Sequence, residues 1–133
     1  MTSIIADTHT IIWYLSGNLK LSEKAKKAID NALDNHQSIY LSSITIVELV
    51  YLVEKNRLPI EALTRLVEAI KDTDMGIIVI DLNLSIIEEM RKIPRSIVPD
   101  MPDRIIAATA SYLRVPLVTA DHKIQAADIE TIW

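Results

Sequence analysis

Ser3-Ile4-Ile5-Ala6-Asp7 and Leu117-Val118-Thr119-Ala120-Asp121 share one pattern: a short, largely apolar run that ends on an aspartate. A strand with one solvated face alternates apolar and polar residues, whereas a continuously apolar run marks a strand buried on both faces. Ile39–Leu41, Ile77–Ile80 and Ile129–Ile132 read the same way, and Ile77–Ile80 again runs into an acid, Asp81. Between these runs the periodicity becomes helical. Ser22 is a good N-cap for a helix reaching about Asn35, with Ala25, Ala28, Ile29, Ala32 and Leu33 on one face. Further helices are predicted over Ile44–Lys55 and from Ile60 onward, where Leu63, Leu66, Val67 and Ile70 are apolar. A short one carries the capping box Ser85-Ile86-Ile87-Glu88, and a long one spans about Pro102–Leu113. Strands alternating with helices predict an α/β fold with a mostly parallel sheet covered on both faces. Ligands of such sheets bind beyond the carboxyl ends of the strands, which is where the acids stand.

Composition narrows the chemistry. The 133 residues are 50% hydrophobic and 24% charged, as expected of one folded domain over residues 1–133. The chain has no Cys, which excludes disulfide frameworks, thiolate nucleophiles and cysteine-ligated metal centres. Its two glycines, Gly17 and Gly76, cannot compose a dinucleotide-binding or P-loop motif. The formal net charge is −4, opposite in sign to the footprint of a constitutive nucleic-acid binder. A nucleic-acid substrate therefore requires something local that overcomes the global charge. The segment from Met1 to Leu15 has an acid at Asp7 and no basic n-region, so it does not read as a secretory signal. No apolar run is long enough to cross a bilayer. The expected location is the cytoplasm, with no membrane partner.

The acids carry the argument. Asp7 and Asp121 follow strands, Asp100 and Asp103 flank the start of the last long helix, and Glu48 lies among Ile46, Val47, Leu49 and Val50. Each also has a structural reading. Asp7 can be an N-cap, Asp103 can complement the helix dipole, and Asp121 can be a turn residue. Glu48 completes a capping box with Thr45, unless Ser42 or Ser43 caps the helix and leaves Glu48 a turn inside. For Asp81 the structural reading prevails, since Asn83 and Ser85 can cap the helix that follows. If Asp7 and Asp121 end neighbouring strands and Asp103 opens a helix above them, the carboxylates converge. Two unit charges about 4 Å apart repel by roughly 4 kcal/mol at an effective dielectric near 20. Protonation or a divalent cation relieves such repulsion. Oxygen ligands without a His or Cys pattern select Mg2+ or Mn2+ over zinc.

At these residues the chain resembles the PIN-domain ribonucleases, and specifically the VapC-type toxins of bacterial and archaeal toxin–antitoxin pairs. Asp7-Thr8-His9 followed by Ile11-Ile12-Trp13 is similar to the family's opening motif. Leu41-Ser42-Ser43-Ile44 through Val47-Glu48-Leu49, then Val53 to Leu58, resembles its second block. Asp100 to Ala110 resembles the third, and Leu117 to Asp121 the fourth. Asn56 stands where the family usually has Gly, and Met101 separates an Asp and a Pro that are often adjacent. The resemblance implies a three-layer α/β/α sandwich and a metal site of Asp7, Glu48, Asp103 and Asp121, with Thr8 or Thr119 as hydroxyl support. It implies an endoribonuclease dependent on Mg2+ or Mn2+, an RNA substrate, a cognate antitoxin protein and a homodimer. An apolar groove for the antitoxin is expected near the helices Ile44–Lys55 and Ile60–Lys71, offered by Val50, Tyr51, Val53, Leu63 and Val67.

Arg104, beside Asp103, is expected either to clamp phosphate or to pair with a carboxylate. His9 reads as a polar residue at a helix start rather than a contact to substrate phosphate. Trp13, Tyr14, Tyr51 and Trp133 read as core or interface rather than base-stacking platforms, and His36 and His122 as solvated. The charged run of Lys20, Lys24, Lys26, Lys27, Arg91, Lys92 and Arg95 reads as a solvated face rather than an RNA path. Two rival functions use the same residues. An Asp-dependent phosphatase would want a second Asp where His9 stands, and a phospho-acceptor domain would use Asp81 and Lys123. A non-catalytic α/β interaction module would retain the acids only as caps.

Overall fold

The computed structural model describes residues 2–133, so Met1, the first residue of the expected domain, lies outside the described residues. Strand β1 (Ile4–Ala6) is followed by helices α1 (Thr8–Ser16) and α2 (Glu23–Asp34). Strand β2 (Ile39–Ser42) leads into α3 (Ser43–Glu54) and α4 (Ile60–Lys71). Then come β3 (Ile77–Ile80), α5 (Leu84–Met90), α6 (Met101–Leu113), β4 (Leu117–Val118), α7 (His122–Gln125) and β5 (Thr131–Ile132). The sheet has five strands in the order β3-β2-β1-β4-β5. Every pairing is parallel, with Ile4 opposite Ile39, Ile5 opposite Leu117 and Ala6 opposite Val118.

The continuously apolar strands are explained by what covers them. Side chains alternate across a strand, so Ile4 and Ala6 face one way and Ile5 the other. Ile4 and Ala6 pack with Ile11, Ala25, Ile29, Leu49 and Leu66, from α1 to α4. Ile5 packs with Leu117, Ile86, Ile106, Ala107 and Ile124, from β4 and α5 to α7. Both faces of β1 are therefore dry, and the fold is the expected three-layer sandwich. The strands Ile77–Ile80 and Leu117–Val118 fall where the sequence puts them, but β3 is an edge strand with Ile78 exposed rather than buried on both faces, and the last strand is confined to Thr131–Ile132.

Helix starts are decided by caps. Ser22 accepts from the Ala25 N–H, and Ser42 accepts from the Ile44 N–H, which leaves Glu48 a turn inside α3. The expected capping box at Ser85 does not form. Asn83 caps α5 instead, accepting from the Ile86 N–H. Of α1 the sequence marked only the start, because Thr8, Thr10, Ile11 and Ile12 are β-branched and favour strands. Asp7 caps that helix, Gly17 ends it with φ +65°, and burial of Thr8, Thr10 and Ile11 overrides propensity. Asn56 has φ +58°, the left-handed conformation that Gly adopts freely and Asn tolerates better than most residues. The departure from the usual Gly is thus met by a residue suited to the same backbone.

Candidate active site

The sheet topology brings the first acids together. Strands β1 and β4 are parallel neighbours, so the chain leaves both at the same edge. Asp7 begins there, and its Oδ1 accepts from the Thr10 N–H. Thr10 Oγ1 donates to the Val118 carbonyl at 3.0 Å, which ties the start of α1 to β4. Asp121 caps α7, its Oδ1 accepting from Lys123 N–H and Ile124 N–H. Thr119 joins the two acids. Its hydroxyl donates to Asp7 Oδ2 and accepts from the Asp121 N–H. Thr119 is fully buried and Asp7 is 7% exposed, so this bridge holds the acids in a water-poor setting.

Glu48 comes from the other side. It lies on α3 and receives the Thr8 hydroxyl on Oε1 at 2.6 Å, while the same Thr8 oxygen lies 3.3 Å from Thr45 Oγ1. Both threonines are buried, so the Glu48 carboxylate is aimed by a fixed partner. Asp100 caps α6, its Oδ2 accepting from the Asp103 N–H at 3.2 Å. Asp103 follows one turn into the helix, and no hydrogen bond reaches its carboxylate among the described residues.

Asp7, Glu48, Asp100, Asp103 and Asp121 all line one cavity of about 440 Å3, with Thr8, His9, Trp13 and Ala120. Asp81 is exposed and lies outside it, as its capping neighbourhood suggested. Trp13, expected in core or interface, packs against the core and also walls the cavity; its i, i+4 spacing from His9 on a helix capped by Asp7 is the signal for the second role. Arg104 corrects the sequence expectation. Its Nε donates to the Ile93 carbonyl and its Nη2 to the Met90 carbonyl, both at 2.9 Å. Among the described residues it neither lines the cavity nor pairs with a carboxylate; it ties α6 to the end of α5 and the segment after it. Two of the charged-face lysines pair locally, Lys26 with Asp30 and Lys92 with Glu89.

The electrostatics are those of crowded like charges. Burial, followed by the charges of Asp100, Asp121, Glu48 and Asp7, pushes the Asp103 carboxyl up to about 7. Burial also raises Glu48; the Thr8 hydrogen bond opposes this, and Asp100 adds to it. Among the described residues none of the five acids forms a salt bridge. The donor set is all oxygen, which suits Mg2+ or Mn2+. No three acidic or histidine side chains among the described residues close into a ready-made ion cage. The acids line a shared cavity, and Mg2+ characteristically keeps several waters while binding only one or two carboxylates directly. The residues present therefore fit a hydrated divalent ion.

The Thr119 bridge gives a direct test. Thr119→Val is expected to lower stability by about 1–3 kcal/mol, because Asp7 Oδ2 loses its donor and the Asp121 N–H its acceptor. Thr119→Ser keeps the hydroxyl and is expected to lose less. Urea unfolding of both variants measures the difference; a valine variant as stable as wild type would mean the bridge carries no energy.

Known proteins agree with this architecture. Ribonuclease VapC22 of Mycobacterium tuberculosis is 26% identical over 131 residues, spanning 95% of this chain and 92% of its own length. The crystal structure of VapBC2 from Rickettsia felis bound to a promoter DNA fragment superposes with a TM-score of 0.72. That match covers 98% of this chain and 99% of the other at 17% identity, so it speaks to the fold alone. A toxin–antitoxin complex from Klebsiella pneumoniae gives a TM-score of 0.68 over 98% and 96% of the two chains, at 23% identity. The PIN domain matches residues 4–130. With the parallel sheet, the acids at its carboxyl edge and a match over nearly its whole length, the chain belongs to the PIN domain family.

Proposed function

We propose that residues 1–133 form a single PIN-type nuclease domain, a Mg2+- or Mn2+-dependent endoribonuclease that acts as the toxin of a toxin–antitoxin pair. The observation that carries this is the single cavity lined by Asp7, Glu48, Asp100, Asp103 and Asp121, with no basic side chain paired to any of them among the described residues. The similarity to Ribonuclease VapC22 supports RNA as the substrate. Asp7, Glu48 and Asp103 would hold the ion directly or through water, and Asp121 would complete the site or orient water. A bound divalent ion supplies Lewis acidity toward phosphate oxygens and makes the hydrolytic water more acidic. The chain's own residues do the positioning. Thr119 keeps Asp7 and Asp121 in register, Thr8 aims Glu48, and the Asp100 cap sets the helix turn that carries Asp103. Buried hydroxyls that fix the acids in advance reduce the reorganisation required when the substrate arrives.

The phospho-acceptor alternative finds less support, because Asp81 stands outside the cavity. Incubation with an RNA pool and with a small phosphomonoester separates the readings. RNA cleavage lost on adding EDTA, without phosphomonoester turnover, is the expected result; the reverse would favour a phosphatase, and neither activity would favour an interaction module.

Of the antitoxin groove expected near α3 and α4, the α3 wall is kept, Tyr51 included. Those helices pack on each other, and Val50, Val53, Leu63 and Val67 are half-buried there. The open apolar groove instead runs between α3 and the start of α6, lined by Ile44, Val47, Tyr51, Leu52, Met101 and Pro102. Lys55 and Arg57 also line this groove, and Glu48 lies in both it and the acidic cavity. An antitoxin segment with apolar anchors and acidic flanks suits this lining, and a helix laid there would shadow the site. Tyr51 is 58% exposed and Met101 61%, so Tyr51→Glu leaves the fold intact and is expected to weaken antitoxin binding at least tenfold. Calorimetric titration with the cognate antitoxin checks this, and unchanged affinity would place the partner elsewhere. The homodimer is also proposed, and light scattering at micromolar concentration tests it.

A further inference from the structure

Two aromatic rings stand on the wall of the acidic cavity, and the acids do not account for them. His9 and Trp13 are one turn apart on α1, on the same face, with ring centroids 5.6 Å apart and planes tilted by 48°. Both line the cavity. His9 is exposed and contributes nothing to the core, while Trp13 is half-buried with its inner side against the core cluster. Trp133 packs against Trp13 at 5.9 Å and 57°, which fixes the indole in place. On the same ring sits Lys20, its Nζ 6.0 Å from the centroid, exposed and in no ion pair among the described residues. The cavity thus joins carboxylates and two flat rings, and Lys20, outside the cavity lining, reaches the Trp13 ring from the turn after α1.

We propose that His9 and Trp13 form a stacking ledge for the nucleobase next to the scissile phosphate, with Lys20 holding an adjacent phosphate. The proposal rests on the reading of the cavity as a phosphodiesterase site and adds how the substrate is seated there. An acidic cavity in a chain of net charge −4 repels a polyanion, so contacts to the bases add affinity that the metal ion and a single lysine do not supply. Base faces stacked on aromatic rings provide them without regard to sequence, and such platforms combined with basic side chains are how single strands are held. A paired base inside an A-form duplex has no free face to offer, so the ledge selects single-stranded or looped RNA.

The experiment uses Trp133→Phe, which leaves Trp13 as the sole indole because the chain has two Trp. This protein is mixed rapidly with a single-stranded oligoribonucleotide in Mg2+, and tryptophan emission is read before turnover while anisotropy reports binding. Emission is expected to fall on binding, and to stay near its starting value when the oligonucleotide carries an abasic ribose beside the cleaved bond. His9→Ala, at an exposed position, is expected to raise KM about tenfold with kcat within about twofold, in keeping with the loss of one base–aromatic stack. The same variant should cleave intact and abasic strands with nearly equal KM. Trp13→Leu removes core packing as well, so His9→Ala carries the test if that variant fails to fold. Unchanged emission at saturating RNA, or a His9→Ala variant that discriminates abasic strands as wild type does, would overturn the ledge while leaving the nuclease intact. Wild-type protein that neither binds nor cleaves RNA would overturn the nuclease reading and the ledge together.

Discussion

Asp103→Asn and Asp7→Asn are each expected to reduce RNA cleavage by about a hundredfold or more, equivalent to about 2.7 kcal/mol of transition-state stabilisation, with the fold retained. The two positions test different things. Asp103 carries no capping duty and receives no hydrogen bond among the described residues, so Asn there removes charge from the cavity and little else. Asp7 caps α1 through Oδ1 and receives the Thr119 hydroxyl on Oδ2. Asn caps about as well as Asp, so α1 should persist. Cleavage assays on a mixed RNA pool, with circular dichroism alongside, measure both effects. Wild-type cleavage by either folded variant would remove these carboxylates from the chemistry.

In EDTA at pH 8, Asp103→Asn is expected to melt several degrees above wild type, and Mg2+ should narrow or reverse that order. The sign follows from the Asp103 carboxyl, pushed up to about 7 by burial and four neighbouring acids, from an ordinary value of 3.8. Between those values the folded state binds more protons than the unfolded chain, so stability falls as pH rises. Wild type should be relatively most stable below about pH 4, lose stability as pH rises toward 7, and level off above it. The asparagine variant lacks this slope, so the gap between the proteins should be small at pH 5 and widest at pH 8. Losing a negative charge in the first turn of α6 opposes the gain by about 0.3–1 kcal/mol through the helix dipole. The raised carboxyl shows that burial and repulsion outweigh that favourable field. Metal acts the other way. Binding at a hundredfold excess over Kd stabilises the folded state by about 2.7 kcal/mol, and the variant should gain less. Melts across pH and a metal titration at constant ionic strength decide the matter; curves that stay parallel under both would mean the acids share no cation site.

Capping a helix and facing the cavity are not mutually exclusive for these acids. Asp7, Asp100 and Asp121 each cap a helix, and each also lines the cavity. A carboxylate has two oxygens, and at Asp121 Oδ1 takes the N–H groups of α7, leaving Oδ2 for the cavity. Where a parallel strand feeds a helix, the residue that must cap the helix already stands at the edge where ligands bind.

Local patterns determined much of this protein. Continuous apolar runs marked the central strands β1 and β4 as buried on both faces, whereas the equally apolar β3 lies at the sheet edge with Ile78 exposed. Aspartates at the ends of two such runs located the chemical edge, and the absence of Cys with few Gly removed most other chemistries. Tertiary structure alone decided matters that depend on long side chains and on which helices touch. Arg104 could reach several groups from its place beside Asp103, and the packing of α5 against α6 put two backbone carbonyls within its grasp. The apolar groove lies between α3 and α6 rather than beside α4, because α3 and α4 spend their facing stripes on each other. Trp13 reads as core by composition, yet an indole is large enough to be buried on one side and open on the other. The helix that carries it is tied to β4 by the hydrogen bond from Thr10 to Val118, a contact between residues 108 positions apart in the chain.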